Sequence, residues 1–401
     1  MNALPPLALY VHMPWCVRKC PYCDFNSHVA PETIPQQQYV DALIEDLAID
    51  AGAAQGRALV SIFFGGGTPS LFAPDQVARF LEAARSLVTF APDIEVTLEA
   101  NPGTVEHGRF SGYRDAGINR VSLGAQTFDP DQLRLLGRIH GSGDIARAVD
   151  EVRSAGLENF NLDLMYGLPA QTLQQALADL DAALAFEPAH ISHYQLTLEP
   201  GTVFYHRPPP LPDSDAIWQM QLDCQAKLAS HGYEHYEVSA YARAGRRSRH
   251  NLNYWQFGDY IGVGAGAHGK LTWLASEERA GLAVVRSARV KQPREFLRRA
   301  PAERISDRFQ VATEELPFEY MLNVLRLTDD FGEANFVART GLPFAAIERS
   351  VDEAQRKRLL ERGAAGQWRV TELGQRFLND LQALFLPERA DRRQSGATPA
   401  A

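Results

Sequence analysis

Cysteine is scarce in this chain, with four among 401 residues. That excludes a disulfide-stapled scaffold. No basic-then-apolar leader opens the sequence, so it reads as a cytoplasmic chain held in a reducing compartment. Long apolar runs are also missing, and none approaches the roughly 18 residues needed to cross a bilayer as a helix. Positive charge is in the minority: 40 Lys and Arg against 49 Asp and Glu give a net charge of −9. No bulk field for nucleic acid or an anionic membrane is implied. What remains is ordinary globular composition, and the length allows a large domain plus a smaller one.

The few cysteines are not scattered. Cys16, Cys20 and Cys23 fall within eight consecutive residues, spaced Cys-x3-Cys-x2-Cys, and Cys224 stands alone far downstream. So short a loop can aim three thiolates at one point, and soft thiolates favour an iron–sulfur cluster or zinc. Closed zinc sites and electron-transfer clusters usually take four protein ligands. His12 and His28 flank the loop as candidates for a fourth. The economical reading is a cluster with one iron left open. Cys224 sits in an apolar helical setting and reads as a core thiol.

The rest of the first two-thirds alternates strand and helix signals. Short apolar runs at Leu7–His12, Leu59–Phe64, Ile94–Leu98, Arg120–Leu123, Phe160–Met165 and His190–Leu196 read as buried strands. Helical spacing joins them at residues 36–51, 74–88, 104–116 and 172–186. Six such units imply parallel βαβ connections, as a doubly wound sheet or a TIM-like barrel. The polar residues favour the barrel. The cysteines, Gly65-Gly66-Gly67-Thr68-Pro69, Glu99, Gln126 and Thr197 all fall at or just past strand C-termini, which share one mouth in a barrel.

With these motifs the sequence resembles the radical S-adenosylmethionine (SAM) superfamily, and within it the coproporphyrinogen III dehydrogenase-like group. The resemblance implies an α/β fold with a partial (β/α)6 barrel. It implies a 4Fe-4S cluster on Cys16, Cys20 and Cys23, and a SAM site lined by Tyr10, Tyr22, Gly66, Gly67, Thr68, Glu99, Gln126, Arg138 and Asp163. Read without it, the glycine turn is either a tight turn or a close approach to a ligand. On their own Glu99 and Asp163 read as strand-end carboxylates that often only cap helices, and Arg138 as a solvated residue; the resemblance implies that the two carboxylates accept from ribose hydroxyls and that Arg138 pairs with the SAM carboxylate.

A further signal is His250-Asn251-Leu252-Asn253-Tyr254-Trp255. It is either a packed loop segment or a haem site with His250 as axial ligand and Tyr254 and Trp255 as flat faces. Arg243, Arg246, Arg247 and Arg249 precede it, either as a solvated face or as partners for propionates. The hexapeptide, with Asn251 in its second position, resembles the HNxxYW motif of HemW-type haem chaperones. Two departures separate the chain from the true dehydrogenases: Phe25 stands where they carry an extra Cys, and the first strand begins within ten residues, without their N-terminal arm. The resemblance therefore implies a haem chaperone rather than an oxygen-independent coproporphyrinogen III dehydrogenase. It implies haem-accepting apoproteins such as respiratory enzymes as partners and a homodimer; a peripheral approach to membranes, which delivery to such enzymes could require, is left open by the sequence. The expected division is 1–290 for the barrel with its haem-motif extension, 291–388 for a mostly helical winged-helix-like domain, and 389–401 for a disordered tail.

Overall fold

The computed structural model describes residues 4–104, 109–274, 282–363 and 366–387. The chain forms two compact units, Met1–Gln310 and Val311–Ala401.

Six parallel strands organise the first unit: β1 (Leu7–Met13), β2 (Leu59–Gly66), β3 (Phe90–Ala100), β4 (Arg120–Gln126), β5 (Phe160–Tyr166) and β6 (His190–Gln195). Each pairs with its sequence neighbour in parallel register, as in Tyr10 opposite Phe63 and Thr97 opposite Arg120. Side-chain alternation explains the partial barrel. Leu7, Leu9, Val11 and Met13 are fully buried with Tyr39, Val40, Leu43 and Leu47 of helix α1 (Gln36–Asp50) in one apolar core. The intervening residues of the strands, among them Tyr10, Ser61, Glu99, Ser122 and Asp163, line the polar inside. Helices α2 (Pro74–Leu87), α3 (Arg109–Ala116), α4 (Ser142–Ser154) and α5 (Leu173–Leu184) supply crossovers. Helix α5 starts at a Thr172–Gln175 capping box, which fixes its entry point.

Beyond β6, helix α6 (Ser214–Ser230) leads to β7 (Glu234–Glu237) and β8 (Ala240–Ala242). Residues 233–241 read as one strand in the sequence. The chain instead turns at Val238–Ser239, where Glu237 accepts from the Ser239 amide and hydroxyl. Helix α7 (Arg249–Trp255) follows, then β9 (Asp259–Val263), β10 (His268–Leu274), β11 (Leu282–Arg289) and β12 (Ile305–Gln310). Among the described residues the sheet has twelve strands, in the order β12-β11-β10-β9-β1-β2-β3-β4-β5-β6-β8-β7. Strand β9 runs parallel to β1, and the outer strands are antiparallel. Because β12 pairs with β11, the first unit extends to Gln310. The division expected at 290 falls too early.

Two buried ion clusters tie this antiparallel extension to the barrel. Arg289 donates to Asp46 at 2.7 Å and to Asp50 at 2.6 Å, with its side chain fully buried. Asp259 accepts from Arg57 at 2.7 Å and from Lys270 at 2.8 Å. Cys224 lies fully buried in α6, a core thiol as expected.

The second unit runs through α8 (Leu316–Val324), α9 (Glu333–Thr340) and α10 (Glu348–Arg356) to a hairpin of β13 (Leu360–Arg362) and β14 (Trp368–Val370). Three helices followed by a two-stranded wing is the order expected of a winged-helix-like domain. Residues 372–385, which read as one helix in the sequence, instead break at Phe377, whose ψ of 42° separates Glu372–Arg376 from Leu378–Ala383. The tail expected over 389–401 lies outside the described residues.

Candidate cofactor site

The cysteine loop leaves the C-terminal end of β1 and is stitched to its surroundings by backbone. The Gly67 amide donates to the Met13 carbonyl at 2.7 Å, and the Thr68 amide donates to the Trp15 carbonyl at 2.8 Å. Trp15–Cys16 also pairs in parallel with His28–Val29. The glycine run has a purpose the sequence reading did not assign. A Cβ on Gly67 would sit 2.6 Å from the Trp15 carbonyl oxygen, and one on Gly66, whose φ is +111°, would meet the His12 ring at 2.5 Å. These glycines let β2 dock against the base of the cysteine loop, rather than only clearing room for a ligand.

Beside this loop lies a cavity of about 370 Å³ at the mouth of the partial barrel. Cys16, Cys20, Tyr22, Cys23, Gly66, Gly67, Thr68, Glu99, Gln126, Arg138 and Asp163 all line it, as does Thr197. Tyr10 does not. Its hydroxyl lies 3.0 Å from His12 Nδ1, and its ring packs inside the barrel against Phe63 and His250. Neither flanking histidine is turned to the thiols: His12 Nε2 lies 2.9 Å from the Asn26 carbonyl, and His28 Nε2 lies 3.2 Å from the Asn26 side chain. The cavity also lacks His193, which stacks on Tyr166 at 4.7 Å.

The donor set fits a cluster and a zwitterionic ligand. Three free thiols face the cavity. Among the described residues no three His, Cys, Asp or Glu are grouped to hold a single ion. Burial pushes the Cys16 and Cys23 thiols up, opposed by hydrogen bonds from Thr68 and Ser27 respectively. Arg138 Nη1 lies 3.7 Å from Cys20 Sγ, while Nη2 donates to the Gly124 carbonyl at 2.7 Å. Its Nε is buried with no hydrogen-bond partner. Across the cavity, Glu99 accepts from the Gly66 amide at 3.2 Å. Burial, reinforced by the nearby Asp163 charge, pushes its carboxyl up to about 8. Asp163 is also raised by burial, against hydrogen bonds from Asn161 and Ser122 at 2.8 and 3.0 Å.

Gln126 ends β4 with a φ of +71°, in the left-handed region that a non-glycine residue seldom adopts. Its amide oxygen accepts from the Tyr194 hydroxyl at 2.6 Å. The sequence reading missed Tyr194 and Ser122. Both sit on the inward alternation of strands it had identified, and that alternation was the available signal.

The hexapeptide is built differently from the cavity. Ser248 caps helix α7, and the seven residues Arg249–Trp255 pack beneath the strands. His250 Nδ1 lies 3.1 Å from the Ser61 hydroxyl, and its ring stacks on Phe63 at 4.9 Å. Burial, with Arg120 nearby, pushes its imidazole down to about 3. Asn251 is half-buried, its amide donating to the Ser248 hydroxyl at 3.3 Å. Tyr254 is 36% exposed and meets Trp255 edge-on at 4.9 Å. The motif thus divides between an inward imidazole, an exposed Tyr254 and a half-buried Trp255. Three of the preceding arginines are engaged within the protein: Arg243 lies over the Tyr233 ring, Arg247 over Tyr236, and Arg249 pairs with Asp93.

Residues 10–183 match the Radical SAM superfamily, which implies a 4Fe-4S cluster and SAM. Over 393 residues the chain is 47% identical to the heme chaperone HemW of Haemophilus influenzae, spanning 97% of this chain and all of that protein. It is 47% identical over 388 residues to the heme chaperone HemW of Escherichia coli K12, with the same coverage. Among solved structures it superposes on the radical SAM coproporphyrinogen III oxidase HemN of Escherichia coli with a TM-score of 0.78. That likeness covers 95% of this chain and 90% of the other at 21% identity, and so speaks to the fold. Among the described residues no helix is long and apolar enough to cross a membrane. With a cysteine-lined barrel mouth of this kind and relatives matched from end to end, the chain belongs to the HemW family of radical SAM proteins.

Proposed function

We propose that this protein is a haem chaperone that binds haem and passes it to haem-dependent apoproteins, respiratory enzymes among them. The observation that carries the reading is the end-to-end identity to two heme chaperones. The dehydrogenase alternative rests on fold likeness alone, and Phe25 stands where that enzyme class carries its extra cysteine.

In this reading Cys16, Cys20 and Cys23 would hold a 4Fe-4S cluster, with SAM in the cavity beside it. When bound, the pair supplies one-electron chemistry at the sulfonium. The protein's own groups bind and orient. Arg138, with an unpartnered buried Nε, suits a carboxylate. Glu99 and Asp163 suit ribose hydroxyls and cationic groups, with Gln126, Tyr22 and the Gly66–Thr68 backbone completing the wall.

Glu99 gives this site a pH signature. Its pKa in the free protein is raised, so it keeps its proton up to about pH 8. A cationic ligand favours the ionised form and displaces that proton. SAM affinity is therefore expected to rise as pH climbs from 6.5, by up to about tenfold per unit, and to level off above about 8. Equilibrium dialysis across that range reads the slope. In Glu99→Gln the slope should vanish; if it persists, another group carries it.

Haem is assigned to His250, Asn251, Tyr254 and Trp255. At working pH the His250 imidazole is neutral, the form that ligates iron. To reach haem it must leave Ser61 and Phe63, whereas Tyr254 is already exposed. Hemin titration of purified protein is expected to give a saturable Soret shift. Tyr254→Ala should weaken binding about three- to tenfold, the scale of one lost aromatic contact. His250→Ala should remove the axial-ligand signature. Hemin binding left unchanged in both variants would move the site elsewhere. Anaerobic incubation with coproporphyrinogen, SAM and reductant tests the alternative: stoichiometric protoporphyrinogen would favour the dehydrogenase.

A further inference from the structure

The inside of the barrel contains an unbroken hydrogen-bonded chain between the cavity and the hexapeptide helix. It starts at Asp163, which lines the cavity. Asn161 Nδ2 donates to Asp163 Oδ1 at 2.8 Å and to the Ser122 hydroxyl at 2.7 Å. Asn161 Oδ1 faces His190 Nδ1 at 2.6 Å. His190 Nε2 faces the Tyr236 hydroxyl at 2.7 Å, and the Tyr236 oxygen accepts from the Ser248 amide at 3.3 Å. Ser248 is the N-cap of α7, accepting from the Asn251 amide. Asn161, His190, Tyr236 and Ser248 are each at most 1% exposed.

The direction of every link is determined. An acceptor opposite Nδ1 requires a proton there. Fully buried beside Arg120, the His190 ring is held neutral, so Nε2 accepts and the Tyr236 hydroxyl donates to it. Each donor therefore points toward Asp163: Ser248 to Tyr236, Tyr236 to His190, His190 to Asn161, Asn161 to the carboxylate. Aligned bonds of this kind polarise one another in a low-dielectric interior, so charge and orientation at one end bear on every link. Neither His250 nor Tyr254 lines the cavity, and Glu95 of β3 also holds the α7 end, accepting from the Ser248 hydroxyl at 3.4 Å and from the His250 amide at 3.2 Å.

We propose that Asn161, His190 and Tyr236 are positioning residues that couple occupancy of the SAM cavity to the seating of α7. The proposal rests on the reading of these two sites given above. A ligand that engages Asp163 tightens the chain, holds the Ser248 cap in place, and keeps α7 packed in the barrel with His250 inward. With the cavity empty, the cap is held less firmly and α7 releases more readily. SAM and haem would then oppose each other at His250.

Hydrogen exchange of the amides of residues 249–256, measured on the cluster-reconstituted protein with and without saturating SAM, reads the coupling without haem. SAM is expected to slow exchange at least about fivefold, the lower end of ordinary coupling between sites. Tyr236→Phe keeps the ring and removes the two bonds in the middle of the chain. It should reduce that protection to less than about twofold while SAM affinity, measured separately, changes little. His190→Leu breaks the next link and should read the same. Thr97→Val alters a buried hydroxyl with no partner in the same interior, and should leave the protection intact. The proposal is overturned if SAM does not protect α7 in the wild type, or if Tyr236→Phe keeps full protection. Failure of hemin binding with SAM protection present would sink the haem reading and leave the coupling standing.

Discussion

Serine in place of Cys16, Cys20 or Cys23 is expected to strip anaerobically purified protein of iron and sulfide, from about four of each per chain to near none. The visible absorption of the cluster should go with it. The effect should be close to all-or-none because the loop offers no replacement. Its backbone is fixed at Met13 and Trp15 by Gly67 and Thr68, and at Pro14 and Cys16 by the amides of His28 and Ala30. His12 and His28 are bonded to Asn26. Cys224 is fully buried in α6, with its thiol pushed up to about 12 by burial. Cys224→Ala should therefore retain the full iron content. Iron retained in all three loop variants would remove the cluster from this loop.

Arg289→Met is expected to cost about 3–5 kcal/mol of stability. The wild-type guanidinium is drawn toward its neutral form by burial and held charged by Asp46 and Asp50, the carboxylates prevailing. Without it, two buried carboxylates are left close together. Asp46 would keep the Gly264 amide, and Asp50 would keep Arg308, half-exposed at 2.6 Å. The Asp46 carboxyl, which burial already raises against the pull of Arg289, would then lie further above its unfolded value. Stability in that case is fullest below the ordinary carboxylate range and is lost as pH rises through the elevated value. The variant should thus resist urea better at pH 5 than at pH 8, and adding Asp46→Asn should recover part of the deficit. A variant as stable as wild type at pH 8 would show that this cluster contributes little.

Much of this architecture could be read from residue order, because parallel strands buried on both sides announce themselves as short apolar runs. All six were placed, and the polar residues at their ends do share one cavity. Where the reading fell short, the missing information was three-dimensional. Tyr10 occupies the right strand, but its inward position puts it beneath the cavity against His250. Tyr194 follows the same alternation on β6 and reaches Gln126, a contact no spacing rule reveals. The turn at Val238–Ser239 contains neither Gly nor Pro, so nothing local signalled a hairpin. The boundary at 290 failed because β12 is charged and exposed, and its pairing with β11 is set by tertiary contact rather than by pattern. The hexapeptide was found by its residues, but that its histidine faces inward depends on Ser61 and Phe63, which lie nearly two hundred positions earlier in the chain.

The positive φ of Gln126 carries a broader consequence. A glycine would adopt that backbone freely, whereas a side chain there costs on the order of 1 kcal/mol. The protein tolerates the strain and keeps an amide facing the cavity, bonded to Tyr194. Robustness and ligand capture thus pull against each other at one residue. A selection for heat resistance alone would be drawn to position 126, and under the proposed function would return a sturdier protein with a poorer grip on SAM.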